Sequence, residues 1–204
     1  MSKTKTIKSV EIRSLPELRR ILTKFLLLNV RIAKSWEWKD FPWWYNERAS
    51  LSVLAAAVWK TKGIAFEEFS SPKKKRKVKY SGRNDLYILT GKKEFTVEAK
   101  NLFVAAFSRN GSRARIVQKL KQAVKDVKRS KPYGTKRLAI LFVVPKFDWS
   151  KRDVVSILIE RWIDEIRKIP YAAAAWIFPK ECRTKAKWKK TRLFPGVVVL
   201  VRKV

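Results

Sequence analysis

Histidine is absent from this chain of 204 residues, and Cys182 is its single cysteine. Zinc sites of the Cys/His type, Ser-His-Asp triads and acid–base catalysis by histidine are therefore excluded within the chain. One cysteine cannot form a disulfide inside one chain, which agrees with a reducing compartment. Any catalysis must use carboxylates, Lys, Arg, Tyr or a metal ion held by oxygen ligands.

Long hydrophobic segments are also missing. Apolar runs such as 25–28 and 197–201 are far shorter than the roughly 20 residues that a membrane-spanning helix needs. The N-terminus is polar and basic, without the apolar segment and cleavage site of a secretory signal. We therefore expect no membrane partner and a cytoplasmic location.

Acidic residues are scarce beside basic ones: 17 Asp and Glu stand against 49 Lys and Arg, a formal net charge of +32. Such an excess attracts polyanions, and DNA is the expected partner because each neutralised phosphate releases counterions. An anionic membrane surface is the weaker alternative. The 46% apolar content is enough to build a folded core, so the length indicates one ordinary domain with an N-terminal extension.

Hydrophobic periodicity predicts the order α-α-β-β-β-α-β-α-β-β, an α/β fold in which helices flank a central mixed sheet. The N-terminal extension, 1–45, would consist of a basic tail or edge strand, a helix and an aromatic connector; 46–204 would form the α/β domain. Ser14 and Glu17 have the spacing of a capping box, so the first helix should start there. Further helices are predicted at 46–63, 112–131 and from Ser150 with Asp153, and strands at 64–69, 83–89, 94–100, 136–144, 171–178 and 196–202.

The connector at 36–45 carries four tryptophans and Tyr45 in addition to Phe41. They could stack on unpaired bases. Packing over the core, with one or two rings exposed, is the favoured interpretation.

Two acids and an amine fall on neighbouring predicted strands. Asp85 lies on one strand and Glu98 and Lys100 on the next, where strand alternation puts the latter two on the same face. Burying such charges is costly unless they bind a metal or pair with one another. Carboxylates holding Mg²⁺ or Mn²⁺, with a lysine whose pKa the metal lowers, could hydrolyse a phosphodiester. The alternative is that both acids are solvated edge-strand residues paired with surplus lysines.

The predicted order of elements over about residues 46–145, with Asp85 on one strand and Glu98 and Lys100 on the next, resembles the PD-(D/E)xK (restriction-endonuclease-like) nuclease superfamily. That group includes restriction endonucleases, archaeal Holliday junction resolvases and phage nucleases. The resemblance implies a restriction-endonuclease-like core and a Mg²⁺-dependent or Mn²⁺-dependent DNA endonuclease. Asp85 and Glu98 would be metal ligands, the Ala99 carbonyl a third oxygen, and Lys100 would orient or activate the attacking water.

The same resemblance implies two further residues. Glu47, near the start of the first core helix, would be an additional catalytic acid and metal ligand, although an acid in a first turn also suits the helix dipole. Gln118 would be an auxiliary polar residue pointing at the site. The chain departs from the family motif at Asn84, where the motif has proline.

Three basic segments are candidates for contacts with DNA. The segment 72–78 has the letters of a nuclear-import signal, but a hairpin tip on the DNA backbone is favoured over import, which would apply in a eukaryotic host. The predicted helix 112–131 and the loop 183–192 are the others. The candidate residues are Lys73, Lys74, Lys75, Arg76, Lys77, Arg113, Arg115, Lys119, Lys187, Trp188 and Lys189.

Other functions remain open at this point. A non-catalytic basic nucleic-acid-binding protein on the same fold would bind with a steep salt dependence and no turnover. A structural ribonucleoprotein component would prefer RNA. A resolvase would be a homodimer, because two matched nicks need two sites related by a two-fold axis.

Overall fold

The protein is described by a computed structural model that covers 5–75, 78–107, 111–130, 136–188 and 191–204, with side chains except those of 71–75, 78–81 and 188. Its strands are β1 (Ile7–Ile12), β2 (Ile64–Lys75), β3 (Val78–Thr90), β4 (Lys93–Ala105), β5 (Lys136–Asp148), β6 (Ala173–Phe178), β7 (Lys187–Trp188), β8 (Arg192–Leu193) and β9 (Val197–Lys203). Its helices are α1 (Leu18–Ser35), α2 (Glu47–Trp59), α3 (Ser112–Arg129), α4 (Val155–Arg167) and α5 (Cys182–Lys185), with 3₁₀ helices at Pro42–Trp44 and Trp149–Val154.

A mixed open sheet runs through the protein in the order β1-β6-β9-β5-β4-β3-β2, with the short β8 paired to β5 and β7 to β8. The β4–β5 ladder is parallel and the other ladders between described residues are antiparallel. The middle of β5, 138–144, is buried along its whole length, as expected for a strand covered on both faces. The predicted α/β class, with a central mixed sheet flanked by helices, is confirmed. Within the described ranges, no helix is long and apolar enough to cross a membrane.

The N-terminal elements share the core with the rest of the chain. Strand β1 pairs with β6 and is therefore an edge strand, the second of the two predicted options. The apolar stripe of α1 is buried, and the Phe25 ring lies 5.8 Å from that of Phe142 on β5. Trp43 is buried and donates its indole N–H to the Phe194 carbonyl at 3.0 Å, whereas Trp36 and Tyr45 of the same connector are exposed. The domain boundary at residue 45 stays a prediction.

Two helix starts differ from the predictions. The capping box at Ser14 does not form, because Glu17 is the N-cap residue without a side-chain cap and its carboxylate instead pairs with Lys136 and Lys93. Helix α4 starts only at Val155, after a 3₁₀ turn that the Asp148 carboxylate caps by accepting the Ser150 N–H. Ionic and local hydrogen-bonding partners thus override the spacing rules at both places.

The β2–β3 hairpin separates from β4 over half of its length. β3 pairs with β4 only from Leu86↔Val97 to Thr90↔Lys93, while the β2–β3 ladder continues to Lys75↔Val78. We call residues 70–75 and 78–83 the arm. The predicted hairpin position of segment 72–78 is confirmed for 72–75 and Val78; Arg76 and Lys77 lie outside the described residues.

Candidate active site

A gap between β3 and β4 positions two carboxylates. Beyond Leu86↔Val97 the two strands no longer pair, and Asp85 Oδ2 accepts the Ala99 N–H at 2.7 Å. The Asn101 N–H, two residues further along β4, donates to the Glu47 carboxylate. Residues two apart in a strand direct their N–H groups to the same edge. The two side chains therefore take the place that β3 backbone carbonyls would occupy in a continuous ladder.

Helix α2 brings Glu47 to this gap. Asn46 is its N-cap residue, as predicted, and accepts the Ala49 N–H at 3.1 Å. The Asn101 side-chain amide donates to the Tyr45 carbonyl at 3.2 Å. The start of α2 is thus tied to β4 through both the backbone and the side chain of Asn101, which fixes Glu47 beside Asp85.

Lys100 pairs with one carboxylate and interacts electrostatically with three more. Its Nζ is 3.5 Å from Asp126 Oδ2 on α3, and its side chain is 19% exposed. Glu47, Asp85 and Glu98 also act electrostatically on the amine. We call the carboxylates of Glu47, Asp85, Glu98 and Asp126 around Lys100 the acidic cluster.

Asp126 was not predicted from the sequence. It is the one acid of α3, whose sequence otherwise carries seven Lys and Arg residues. A lone acid in so basic a helix, placed next to the buried Ala123 and Val127, was the available signal.

The charges of the acidic cluster set the pKa of Lys100. Burial alone would lower this pKa, but the carboxylates, with Glu47 and Asp85 foremost, outweigh burial and raise it. With only these carboxylates around it, Lys100 is therefore an ammonium at neutral pH, and the lowering of its pKa by a metal stays a prediction. For Glu47, burial raises the pKa most, and the charge of Asp85 raises it further against the opposing effect of Lys100.

Glu98 is the most deeply buried acid of the cluster. It is 3% exposed, and its Oε1 accepts the Ser130 hydroxyl at 3.0 Å, just beyond α3. Because β4 lies inside the sheet between β3 and β5, the alternative that Glu98 is a solvated edge-strand residue is wrong. Of the four predicted catalytic residues, Glu47, Asp85 and Lys100 lie together, and Glu98 lies beside them with its carboxylate held by Ser130.

The donor atoms suit a hard cation. Mg²⁺ and Mn²⁺ prefer carboxylate oxygens, and Glu47 and Asp85 supply these at adjacent positions of the gap. The raised pKa of Glu47 reports burial and repulsion between neighbouring acids, which a bound cation would offset. In the described parts of the chain, no three His, Cys, Asp or Glu side chains are arranged to hold one metal ion. The chemistry of the donors therefore fits the implied metal, and binding would require one carboxylate to turn.

A basic groove borders the acidic cluster. It is a cavity of about 560 Å³ that we call the α3 groove, lined by Leu102, Arg115, Gln118, Lys119, Lys121, Gln122 and Lys125. Leu102 follows Lys100 at the next position on the same face of β4, and Lys119 acts electrostatically on Glu47. The predicted residues Arg115, Lys119 and Gln118 thus lie together next to the cluster.

The other predicted nucleic-acid contacts are dispersed. Arg113 lines a separate cavity with Phe107, and its guanidinium lies 3.9 Å from the carboxylate of Glu165. The Lys187 amine lies 4.7 Å from the centre of the Trp149 ring. The backbone of Lys73, Lys74 and Lys75 belongs to the arm, while Lys189 and the side chain of Trp188 lie outside what the structure describes.

Comparisons of the chain with protein-family models, curated proteins and solved structures return no match. The resemblance drawn from the motif therefore remains a prediction. What can be said of function rests on the acidic cluster, the α3 groove and the arm.

Proposed function

We propose that this protein is a metal-dependent DNA endonuclease that hydrolyses phosphodiester bonds at the acidic cluster. The observation that carries the proposal is the gathering of four carboxylates around Lys100 in a chain whose net charge is +32. A basic protein gains nothing for phosphate binding from acids beside its basic groove unless a cation joins them. Asp85 and Glu47, with Glu98, are the residues that would hold Mg²⁺ or Mn²⁺.

The finer assignment of the fold belongs to the same proposal. Helix α2, the meander β2–β3–β4, helix α3 and strand β5 follow in the order of the restriction-endonuclease-like core. The acids occupy the first helix and the second and third strands of that order, which supports the assignment.

The acidic cluster and Lys100 would have different roles in hydrolysis. A bound Mg²⁺ or Mn²⁺ would neutralise charge on the scissile phosphate and supply a nucleophilic water near neutral pH. Lys100 as an ammonium would donate a hydrogen bond to the attacking water or a phosphate oxygen and stabilise the charge that develops there. A bound cation would lower the pKa of Lys100, so Lys100 could also activate the attacking water.

The basic surfaces would hold the substrate. Arg115 and Lys119 in the α3 groove lie beside the cluster, so phosphates flanking the scissile bond could bind there. The arm separates from β4, and its lysines would contact the DNA backbone further from the acidic cluster. Neither surface specifies a base sequence.

A second candidate function is a non-catalytic nucleic-acid-binding protein on the same fold. It is favoured by one observation, the bond from Ser130 to Glu98, which occupies a carboxylate that the nuclease would need for the metal. In that case the cluster would be a structural ion-pair network around Lys100.

The deciding experiment is cleavage of labelled linear duplex, single strand and four-way junction DNA with Mg²⁺, Mn²⁺ or EDTA. The wild type would be compared with Asp85→Ala, Glu98→Ala and Lys100→Ala, and with Glu37→Ala as an exposed acid on the connector. We expect metal-dependent cutting by the wild type and Glu37→Ala, and binding without cutting by the other three variants.

Tight binding without cutting in any metal would instead establish the non-catalytic function, and a preference for RNA would point to a ribonucleoprotein. Paired, symmetric nicks in the junction would support the homodimer that a resolvase requires.

A further inference from the structure

Four aromatic side chains form a cluster at the base of the arm. The Phe66 and Tyr87 rings are stacked with centroids 6.3 Å apart, and Phe69 meets Tyr87 edge-on at 6.1 Å. Trp59, at the end of α2, meets Phe66 edge-on at 6.5 Å. We call these residues the aromatic cluster. Phe66 is 57% exposed and Trp59 53%, so much of their surface faces solvent.

A strained backbone holds the aromatic cluster together. Phe66 and Phe69 are three residues apart and would lie on opposite faces of a regular strand, yet both contact Tyr87. Glu68 between them has a φ of 50°, in the left-handed region that residues other than glycine rarely adopt. Arg48 and Arg83 hold its carboxylate at 2.8 and 3.2 Å. Such strain persists where the surroundings enforce it, and it is concentrated at functional positions.

The aromatic cluster lies next to the acidic cluster. Tyr87 is two residues from Asp85 on β3, so both side chains are on the same face, about 7 Å apart along the strand. That distance is short enough for neighbouring nucleotides of one strand to contact both clusters. Arg48 and Arg83 are exposed cations that share the carboxylate of Glu68, on β2 beside Asp85, and they can meet phosphates there.

We propose that the aromatic cluster is a stacking platform for an unpaired base of single-stranded DNA that enters the acidic cluster. Aromatic side chains bind any base through its face, but only when the base is not stacked within a duplex. The surrounding cations and the net charge of +32 favour a polyanion over an apolar protein partner. This inference rests on the proposed function and deepens it, because it assigns a substrate class: DNA with unpaired nucleotides beside the scissile phosphate.

The test measures binding in EDTA, so that cleavage plays no part. The ligands are a labelled oligothymidylate and a duplex of equal length, and the readout is fluorescence anisotropy. Phe66→Leu keeps an apolar side chain and removes the ring face. Phe107→Leu, at an exposed ring that contacts Phe147, is the matched control.

We expect Phe66→Leu to weaken single-strand binding about tenfold, equivalent to roughly 1.4 kcal/mol, and to leave duplex binding unchanged. Phe107→Leu should bind both ligands as the wild type does. Unchanged single-strand binding by Phe66→Leu, or an equal loss for duplex, would overturn the inference. So would loss of self-association in sedimentation with unchanged DNA binding, which would assign the aromatic cluster to a second copy of the chain.

The two proposals fail separately. Ring-dependent single-strand binding by a protein that cuts no substrate in any metal would support this inference and contradict the proposed function as a nuclease. Metal-dependent cleavage without any effect of Phe66→Leu on single-strand binding would support the proposed nuclease and contradict this inference.

Discussion

The carboxylate of Asp85 accepts the backbone N–H of Ala99 where β3 and β4 stop pairing. The side chain thus has a structural task, satisfying an otherwise unpaired N–H, besides the chemical one proposed for it. Substitutions at this position can separate the two tasks.

Asp85→Asn retains an oxygen that can accept the Ala99 N–H but removes the charge. We expect cleavage to fall by about 100-fold or more while stability stays near that of the wild type. Asp85→Ala leaves the N–H without its acceptor and should cost about 1–3 kcal/mol of unfolding free energy in addition. Cleavage rates and denaturant titrations of both variants check this, and equal stability of the two would show that the hydrogen bond contributes little.

Asp126 is a positioning residue for Lys100, since its carboxylate lies 3.5 Å from the Lys100 amine. Asp126→Asn should lower kcat by about tenfold and leave KM unchanged, because the amine loses a partner that holds it in place. Asp164→Asn, which removes an ion pair with Arg167 on the exposed side of α4, is the control and should cut at the wild-type rate. An effect on KM alone would assign Asp126 to substrate binding instead.

We expect the lysines of the arm to contribute charge to DNA binding. Replacing the three lysines of 73–75 by Gln should make the slope of log K against log salt shallower by about 2–3, because each phosphate that a lysine neutralises adds about 0.9 to the slope. The matched control neutralises Lys24, Lys60 and Lys62, which line a cavity between α1 and α2. Equal changes in both triple variants would mean that only the total charge matters.

Glu17 makes the stability of the fold dependent on pH. Burial would raise its pKa, but backbone hydrogen bonding and the charges of Lys136 and Lys93 outweigh burial and lower it from 4.5. A carboxylate with a lowered pKa in the folded state stabilises the fold above pH 4.5, and this contribution is lost as the pH falls through the lowered value. Glu17→Gln should therefore be about 1 kcal/mol less stable at neutral pH and match the wild type in acid. Denaturant titrations of Glu17→Gln and the wild type at both pH values check this. A difference in unfolding free energy that is the same at both pH values would show that it does not come from the charge of Glu17.

Helix α1 is an integral part of the core. Phe25 is 1% exposed, so Phe25→Ala should cost about 3–5 kcal/mol and lower Tm in a single cooperative transition. Leu27→Ala, on the same helix with 45% of Leu27 exposed, should change stability by less than about 0.5 kcal/mol. Two separate transitions in Phe25→Ala would mean that residues 1–45 unfold independently.

Local patterns were sufficient for the order of the longer elements and for part of the site. They missed α5, β7 and β8, because the segment 183–192 was predicted to be a loop. Strand alternation placed Glu98 and Lys100 on one face, and Asn46 was recognised as the start of α2. Asp126 and Ser130 were not predicted as part of the site. They reach β4 only through the packing of α3, which no spacing along the chain encodes. The capping box at Ser14 failed for a related reason, since Glu17 finds two lysines from β4 and β5.

The aromatic residues show the same limit of prediction from local sequence patterns. Sequence reasoning singled out the rings at 36–45, whereas the aromatic cluster beside Asp85 depends on the backbone of one residue, Glu68. A left-handed φ in a charged residue of a strand has no signature in composition or periodicity. Such a conformation is imposed by tertiary partners, here Arg48 and Arg83.

The pairing of β1 with β6 has a consequence for synthesis on the ribosome. Glu11 of β1 meets Arg167 across a sequence separation of 156 residues, and the strand's own backbone partners follow still later. At typical elongation rates, roughly 8–30 s pass before those partners emerge. Loop closure over that distance is slow, so this edge of the sheet should be completed last. During that interval a nascent β1 has to rely on its own charges, Lys8 and Glu11, to avoid pairing with other chains.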